Sequence, residues 1–211
     1  MPDTSSLAES IITGNWDDAK ELTEEAIAAG TNPGQLIDEV LQPAMVVVGE
    51  KFSSGEYFLP DMLMSGRAMD SALKVLEPLL GQTGAATIGK VVIGTVQGDV
   101  HDIGKSMVVM FLKGTGFEVV DLGIDVSDET FVGAVRDTKP DIVALSALLT
   151  TTMPSLGSTI KAIDDAGLRN GVKIVVGGAP VTQHYADLIG ADGYADDAGA
   201  AAAVCRKLVA S

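Results

Sequence analysis

The feature that most limits the fold of this chain is a series of short apolar runs in its second half, which alternate with helical stretches. The runs are VVIGTV at 91–96, FEVVDL at 117–122, DIVALS at 141–146 and VKIVVGG at 172–178. A weaker fifth strand is expected near Asp192–Ala195, followed by an Ala-rich helix that ends at Val209. This alternation is typical of a parallel sheet covered by helices on both faces. It predicts a doubly wound, flavodoxin-like (Rossmann-like) α/β domain, whose ligand site lies at the carboxyl ends of the strands.

The first half has a different periodicity, because its apolar residues recur at helical spacing. Helix-breaking residues divide it into four predicted helices, at Ser6–Thr13, Asp17–Ala29, Gly34–Phe52 and Pro60–Leu80. Pro43 predicts a kink or break in the third helix. The Gly-rich segment 81–89 is predicted to be a linker. We therefore expect an all-α domain at 1–88 and an α/β domain at 89–211.

Charge and cysteine content exclude several classes of function. The 14 basic and 29 acidic residues give a net charge of −15, which disfavours binding to nucleic acid or to an anionic membrane surface. The single cysteine allows no disulfide framework and no cysteine-based zinc site. The N-terminal residues lack the pattern of a signal peptide, and no run approaches the roughly 20 apolar residues that span a bilayer. We expect a soluble, cytoplasmic protein.

The most informative segment is GDVHDIGK at 98–105, which directly follows the first predicted strand. Asp99 lies two residues before His101, so it can accept the N–H of one ring nitrogen and leave the other for a metal. One imidazole cannot hold a bare metal ion that requires three or four donors. The metal would have to arrive inside a macrocycle, and Gly104 would let a bulky group approach the backbone. The alternative is that His101 caps a helix or satisfies a loop carbonyl.

Small and hydroxyl-bearing residues follow the third and fourth strands, as SALLTTT at 146–152 and GGAP at 177–180. Both segments are expected at the same edge of the sheet as His101. They could line a deep slot between strands and helices for a planar group. Ordinary turn chemistry explains each segment equally well on its own.

Together these segments resemble the cobalamin-binding module of methionine synthase and of the corrinoid proteins of methanol and methylamine methyltransferase systems. The shared pattern is DxHxxG, then SxL, then GG, in that order. Residues 49–80 also resemble the four-helix cap of those methyl carriers, so the resemblance covers nearly the whole chain. It implies a cobalamin cofactor.

The resemblance also implies a role for individual residues. His101 would be the lower axial ligand of cobalt, displacing the cofactor's own base, with Asp99 as its partner. Thr152 stands where methionine synthase has a serine that completes the relay, although a β-branched residue has fewer rotamers. The residues implied in cofactor binding are Asp99, His101, Asp102, Ile103, Gly104, Ser146, Leu148, Thr150, Gly177 and Gly178, with Phe58, Met62 and Met69 from the helical half. For the last three, packing in the core of the helix bundle is the alternative.

The function that the resemblance implies is methyl carriage by one component of a multi-protein system. Co(I) would accept a methyl group from a substrate:corrinoid methyltransferase, which selects the donor. As methyl-Co(III) it would pass the group to a second methyltransferase with an acceptor such as a thiol or tetrahydrofolate. A reductive activation protein would be a further partner.

Three other functions stay open at this point. The chain could be the cobalamin-binding subunit of a carbon-skeleton mutase, but such modules need no helical cap. It could be a corrinoid-sensing regulatory protein, but the sequence shows no DNA-binding domain. It could also be a flavodoxin-like module without a cofactor, in which case the three ordered motifs would be a coincidence.

Overall fold

The structure is a computed structural model and describes residues 4–83 and 87–210 of the chain. It divides into two units. The first contains the chain up to Thr87 together with Lys113–Gly116, and the second contains Ile88–Leu112 and the residues from Phe117 onward. No helix in the described ranges is both long and apolar enough to cross a membrane.

The first unit is helical. Its elements are α1 (Ser5–Ile12), α2 (Trp16–Ala28), α3 (Pro33–Leu36), a π-helical turn (Ile37–Leu41), α4 (Gln42–Ser53) and α5 (Leu59–Thr83). Asn15 and Asn32 cap the starts of α2 and α3, each accepting hydrogen bonds from backbone N–H groups of the first turn. The apolar faces of these helices form a buried core that includes Leu7, Ile11 and Met45.

Two details of the helical half differ from the prediction. The helix expected at 34–52 contains a π-helical turn at Ile37–Leu41, which the prediction did not specify. Pro43 has no N–H to donate to the carbonyl four residues earlier, and the N–H of Gln42 bonds to Ile37 in the wider π pattern. The break expected at Pro43 is therefore confirmed. The linker was expected from 81, but α5 continues to Thr83, and residues 84–86 lie outside the described part.

The second unit contains a five-stranded parallel sheet, as the apolar runs predict. The strands are β1 (Lys90–Thr95), β2 (Glu118–Asp121), β3 (Ile142–Ser146), β4 (Lys173–Gly177) and β5 (Gly193–Ala195), in the order β2-β1-β3-β4-β5. The helices are α6 (Ile103–Gly114), α7 (Asp128–Thr138), α8 (Met153–Asp165), α9 (Gln183–Ile189) and α10 (Ala198–Val209), with a 3₁₀ turn at Arg169–Gly171. The predicted flavodoxin-like fold class is confirmed.

The strand order places the reversal point of the sheet between β1 and β3. The chain leaves β1 toward β2 on one side and later returns to β3 on the other, and ligands of such sheets commonly bind at the strand ends beside this point. The register pairs Thr95 with Ser146 and Ser146 with Gly177, which brings the ends of three strands level. The segments singled out in the sequence therefore meet at one edge of the sheet.

Candidate functional site

The loop between β1 and α6 carries a short histidine–aspartate pair. Nδ1 of His101 lies 2.6 Å from Oδ1 of Asp99, and the backbone N–H of His101 donates to the same oxygen at 3.1 Å. The Asp99 side chain is fully buried, whereas that of His101 is 45% exposed. The carboxylate thus fixes the ring from inside the protein while the rest of the imidazole reaches the surface.

The second carboxylate oxygen of Asp99 is held by the loop after β3. Oδ2 accepts hydrogen bonds from the N–H of Leu148 and from the hydroxyl of Thr152, both at 2.7 Å. Burial alone would raise the pKa of Asp99, but the hydrogen bonds from Thr152, Leu148 and the imidazole outweigh it and hold the pKa well below its ordinary value. Asp99 is therefore a carboxylate at neutral pH.

Thr152 reaches Asp99 despite its branched side chain, as the alignment with a serine requires. It is buried at the N-terminus of α8, and its hydroxyl also lies 2.9 Å from the carbonyl oxygen of Leu149. A single hydroxyl hydrogen serves one acceptor well, and the bond to the charged carboxylate is the shorter and stronger of the two. The chain of contacts runs from Thr152 through Asp99 to His101.

This arrangement decides which nitrogen of His101 can act as a ligand. A carboxylate accepts hydrogen bonds, so Nδ1 carries the proton in the neutral ring and Nε2 carries the lone pair. The described residues contain no group of three or more His, Cys, Asp and Glu side chains that could hold a metal ion. The site offers one oriented imidazole, which suits a metal whose other positions are already filled.

An apolar rim surrounds the imidazole. In the second unit, six large hydrophobic side chains among the described residues are exposed, and five of them lie just after β1, β2 and β3, either on the following loop or, for Ile103, at the first position of α6. These five are Val100, Ile103, Ile124, Leu148 and Leu149. Exposed apolar side chains gathered at one place mark a binding surface. Such side chains suit a large ligand with an apolar periphery.

Glycine occupies positions at this edge for two different reasons. A Cβ at Gly178, whose φ is +126°, would come 1.9 Å from the carbonyl oxygen of Ala147, so the chain itself requires glycine there. A Cβ at Gly177 would lie 2.9 Å from the carbonyl oxygen of Ala195. At Gly104 a Cβ would meet nothing within 4 Å, and the backbone is ordinary. Nothing in the described part of the chain requires glycine at position 104, which fits the close approach of an external group.

The remaining residues implied by the resemblance lie in different places. Asp102 and Thr150 are exposed on the loops after β1 and β3, and Ser146 is half-buried at the end of β3. In the helical unit Phe58 is 67% exposed, but Met62 and Met69 are only 1% and 2% exposed. Met62 and Met69 are thus buried, as the alternative of packing in the core of the helix bundle predicts, and their contact with the cofactor stays a prediction.

The sequence interpretation missed three residues that hold the site together. Asp125, on the loop after β2, contacts the backbone of Gly98 and Asp99. Lys105, in the first turn of α6, is buried and forms an ion pair with Asp121 at the end of β2, at 2.6 Å. The one signal in the sequence that could have indicated Asp121 and Asp125 is their position at and just after the end of β2.

Comparison with known proteins identifies the family of this chain. Two family models, both described as B12 binding domains, match residues 89–203 and residues 5–77. The chain belongs to the B12-binding corrinoid proteins. Its cofactor is accordingly cobalamin.

This corrinoid protein has similar relatives of known designation. It is 47% identical to the trimethylamine corrinoid protein of Methanosarcina barkeri, over 90% of this chain and 89% of that one. It is 41% identical to dimethylamine corrinoid protein 1 of Methanosarcina acetivorans, over 97% and 96% of the two chains. The solved methanol:cobalamin methyltransferase complex of Methanosarcina barkeri matches with a TM-score of 0.83 and 35% identity, covering all of this chain and 81% of that one.

Proposed function

We propose that the methyl group carried by this corrinoid protein comes from a methylated amine, delivered by an amine:corrinoid methyltransferase. The relatives named for trimethylamine and dimethylamine are 47% and 41% identical, whereas the chain of the methanol complex is 35% identical. Corrinoid proteins of this family work with methyltransferases. The proposal includes two further partners: a second methyltransferase, which uses a thiol or tetrahydrofolate acceptor, and a reductive activation protein. It also places the protein in the cytoplasm.

The observation that carries the methyl-carrier role is the exposed imidazole held by a buried carboxylate at the apolar rim. His101 would bind the cobalt through Nε2, because Nδ1 is engaged by Asp99 at 2.6 Å. When bound, cobalamin supplies a cobalt centre that accepts a methyl group from one partner and releases it to another. A carrier needs a ligand that can bind and detach, and an imidazole on a partly exposed loop can do both.

The other residues of the site would prepare the imidazole and shield the ring. Asp99 fixes the tautomer and raises the basicity of Nε2, and Thr152 holds Asp99 in place. The apolar rim, with Ile103 and Leu148, would exclude water from the edge of the corrin. The cofactor's own base, once displaced, would lie near Ser146 and Gly177, where the loops after β3 and β4 meet.

A methyl-transfer assay tests the proposed donor. The protein is reconstituted with cobalamin, reduced, and mixed with a trimethylamine:corrinoid methyltransferase and isotopically labelled trimethylamine. In parallel, a methanol:corrinoid methyltransferase is supplied with labelled methanol. We expect the label on the corrin with the amine pair and little with the methanol pair, and loss of labelling in His101→Ala. Labelling by the methanol pair alone would refute the amine proposal.

A further inference from the structure

The loop after β2 turns back onto the loop that carries the histidine. Oδ1 of Asp125 accepts the N–H of Gly98 at 2.7 Å, and the N–H of Asp125 donates to the carbonyl oxygen of Asp99 at 2.9 Å. Asp125 thus binds the backbone on both sides of the Gly98–Asp99 peptide bond, at the N–H of Gly98 and at the carbonyl oxygen of Asp99. These two contacts are here called the Asp125 clamp.

Neighbouring hydrogen bonds fix the position of this clamp. The N–H of Val126 donates to the carbonyl of Thr95 at 3.0 Å, and Val126 forms a parallel bridge with Val96. The loop after β2 is therefore anchored to the end of β1, one residue away from the clamp. Asp125 cannot move away from Gly98 without breaking these contacts.

The backbone at Asp125 indicates that its side chain is selected for the contact. Its φ is +51°, and among the described residues Lys139, with φ +47°, is the one other non-glycine residue with a positive φ. Glycine adopts this conformation most easily, and Asp and Asn tolerate it better than other residues. Glycine would satisfy the backbone but would leave the N–H of Gly98 without the carboxylate. The acceptor oxygen thus explains why an acid stands at a position where glycine fits best.

We propose that Asp125 is a positioning residue for His101, acting through the Gly98–Asp99 peptide. The carboxylate of Asp99 must reach the imidazole with one oxygen and the loop after β3 with the other, at 2.6 and 2.7 Å. A shift of the Asp99 backbone breaks both contacts together. The clamp prevents that shift. This inference rests on the proposed role of His101 as the cobalt ligand.

Two substitutions at Asp125 distinguish the effect of its acceptor oxygen from the effects of its charge and of its backbone conformation. Asp125→Asn keeps an acceptor oxygen and tolerates a positive φ, whereas Asp125→Gly keeps the backbone and removes the acceptor. Lys139→Gly is the matched control, because it relaxes the other positive φ at the end of α7, where the Lys139 N–H bonds to Val135. Thermal unfolding of all three verifies that each variant is folded.

Three measurements report on the clamp. The first two, the exchange rate of the Gly98 amide proton and the ¹⁵N shifts that give the tautomer of His101, are made without cobalamin. The third is the dissociation constant of cobalamin together with the fraction of the Co(II) form that shows a histidine nitrogen.

We expect Asp125→Gly to speed the exchange of the Gly98 amide about fivefold, the loss of one ordinary hydrogen bond. It should also weaken cobalamin binding about tenfold, the lower end for residues that orient a metal ligand. Asp125→Asn and Lys139→Gly should stay close to the parent. The inference would be overturned if Asp125→Gly left the exchange rate of the Gly98 amide and the tautomer of His101 unchanged. It would also be overturned if Asp125→Asn changed the exchange rate and the cobalamin affinity as much as Asp125→Gly does. A parent protein without a histidine ligand would instead overturn the role of His101, since the exchange of Gly98 is measured without cofactor.

Discussion

At the scale of single residues, Asp99 explains most of the geometry of the site. Its buried oxygens meet the backbone N–H and the imidazole of His101 on one side, and Leu148 and Thr152 on the other. All of these groups donate, so the position requires a group that only accepts. A carboxylate is the one side chain of this size with two accepting oxygens. Asparagine has the same shape but would turn an NH₂ group toward one set of donors.

Asp99→Asn is therefore expected to lower the free energy of unfolding of the apoprotein by about 2–4 kcal/mol at neutral pH. The native pKa of Asp99 lies below its ordinary value, so its stabilisation is fully present above the ordinary pKa and is lost as the pH falls through the native pKa. Urea unfolding of both proteins checks this. The difference should narrow as the pH drops below about 4, the ordinary pKa of aspartate. A difference independent of pH would contradict the account.

At the scale of elements, the loops after β3 and β4 are packed too closely for a side chain. The carbonyl oxygen of Ala147 lies where a Cβ of Gly178 would stand, and the Ala147 N–H donates to Gly177 at 3.1 Å. The loop after β3, which supplies Leu148 and Thr152 to Asp99, thus rests on the glycine pair. The GG motif supports the histidine site from two strands away.

Gly178→Ala should destabilise the apoprotein by about 2–4 kcal/mol, because the new Cβ clashes with backbone and the φ of +126° is strained. Gly104→Ala is the matched control, and it should change the stability by less than about 1 kcal/mol, since the added Cβ meets nothing. It should weaken cobalamin binding instead. Thermal unfolding and cobalamin titration of both variants measure this. Equal destabilisation, or parent-like cobalamin affinity in Gly104→Ala, would argue against these roles.

The elements were predictable from the sequence where one local pattern decides them. Four strands follow from compact apolar runs between turn residues, the fifth was predicted from a weaker pattern, and their common edge follows from the parallel order. The π-helical turn at Ile37–Leu41 was predicted only as a break at Pro43, because the hydrogen-bond pattern depends on how the neighbouring turns adjust. Asp125 was missed, since its contact with Gly98 joins loops 27 residues apart. Met62 and Met69 were assigned to the cofactor because apolar side chains suit a core and a ligand surface equally.

At the scale of the whole molecule, the single cysteine is a probe of global unfolding. Cys205 lies on α10, is 1% exposed, and burial raises the pKa of its thiol to about 12. The thiolate is the reactive form of cysteine. At pH 8, which is close to the ordinary pKa of a free thiol, the folded protein should therefore not react with an aromatic disulfide reagent. Reaction should begin where urea unfolds the second unit. Rapid stoichiometric labelling of the folded protein would refute the burial of Cys205.

The same shift has a consequence for alkaline stability. Since the native pKa of Cys205 is raised above its ordinary value, the unfolded state loses its proton first as the pH increases. The contribution of the thiol to stability is therefore intact at neutral pH and declines from about pH 9 upward. Urea midpoints of the parent and Cys205→Ser, compared across this range, measure that decline.

In the proposed site His101 is the protein ligand of the cobalt. Electron paramagnetic resonance of the Co(II) form, prepared with ¹⁵N-labelled histidine and unlabelled cobalamin, shows whether a histidine nitrogen is bound. The chain has two histidines, so His184→Ala is the matched control for His101→Ala. The account predicts that the nitrogen splitting changes from the ¹⁴N to the ¹⁵N pattern in the parent and in His184→Ala, and that the ¹⁵N pattern is absent in His101→Ala. A splitting that stays ¹⁴N in the labelled parent would place the cofactor's own base on the cobalt and contradict the account.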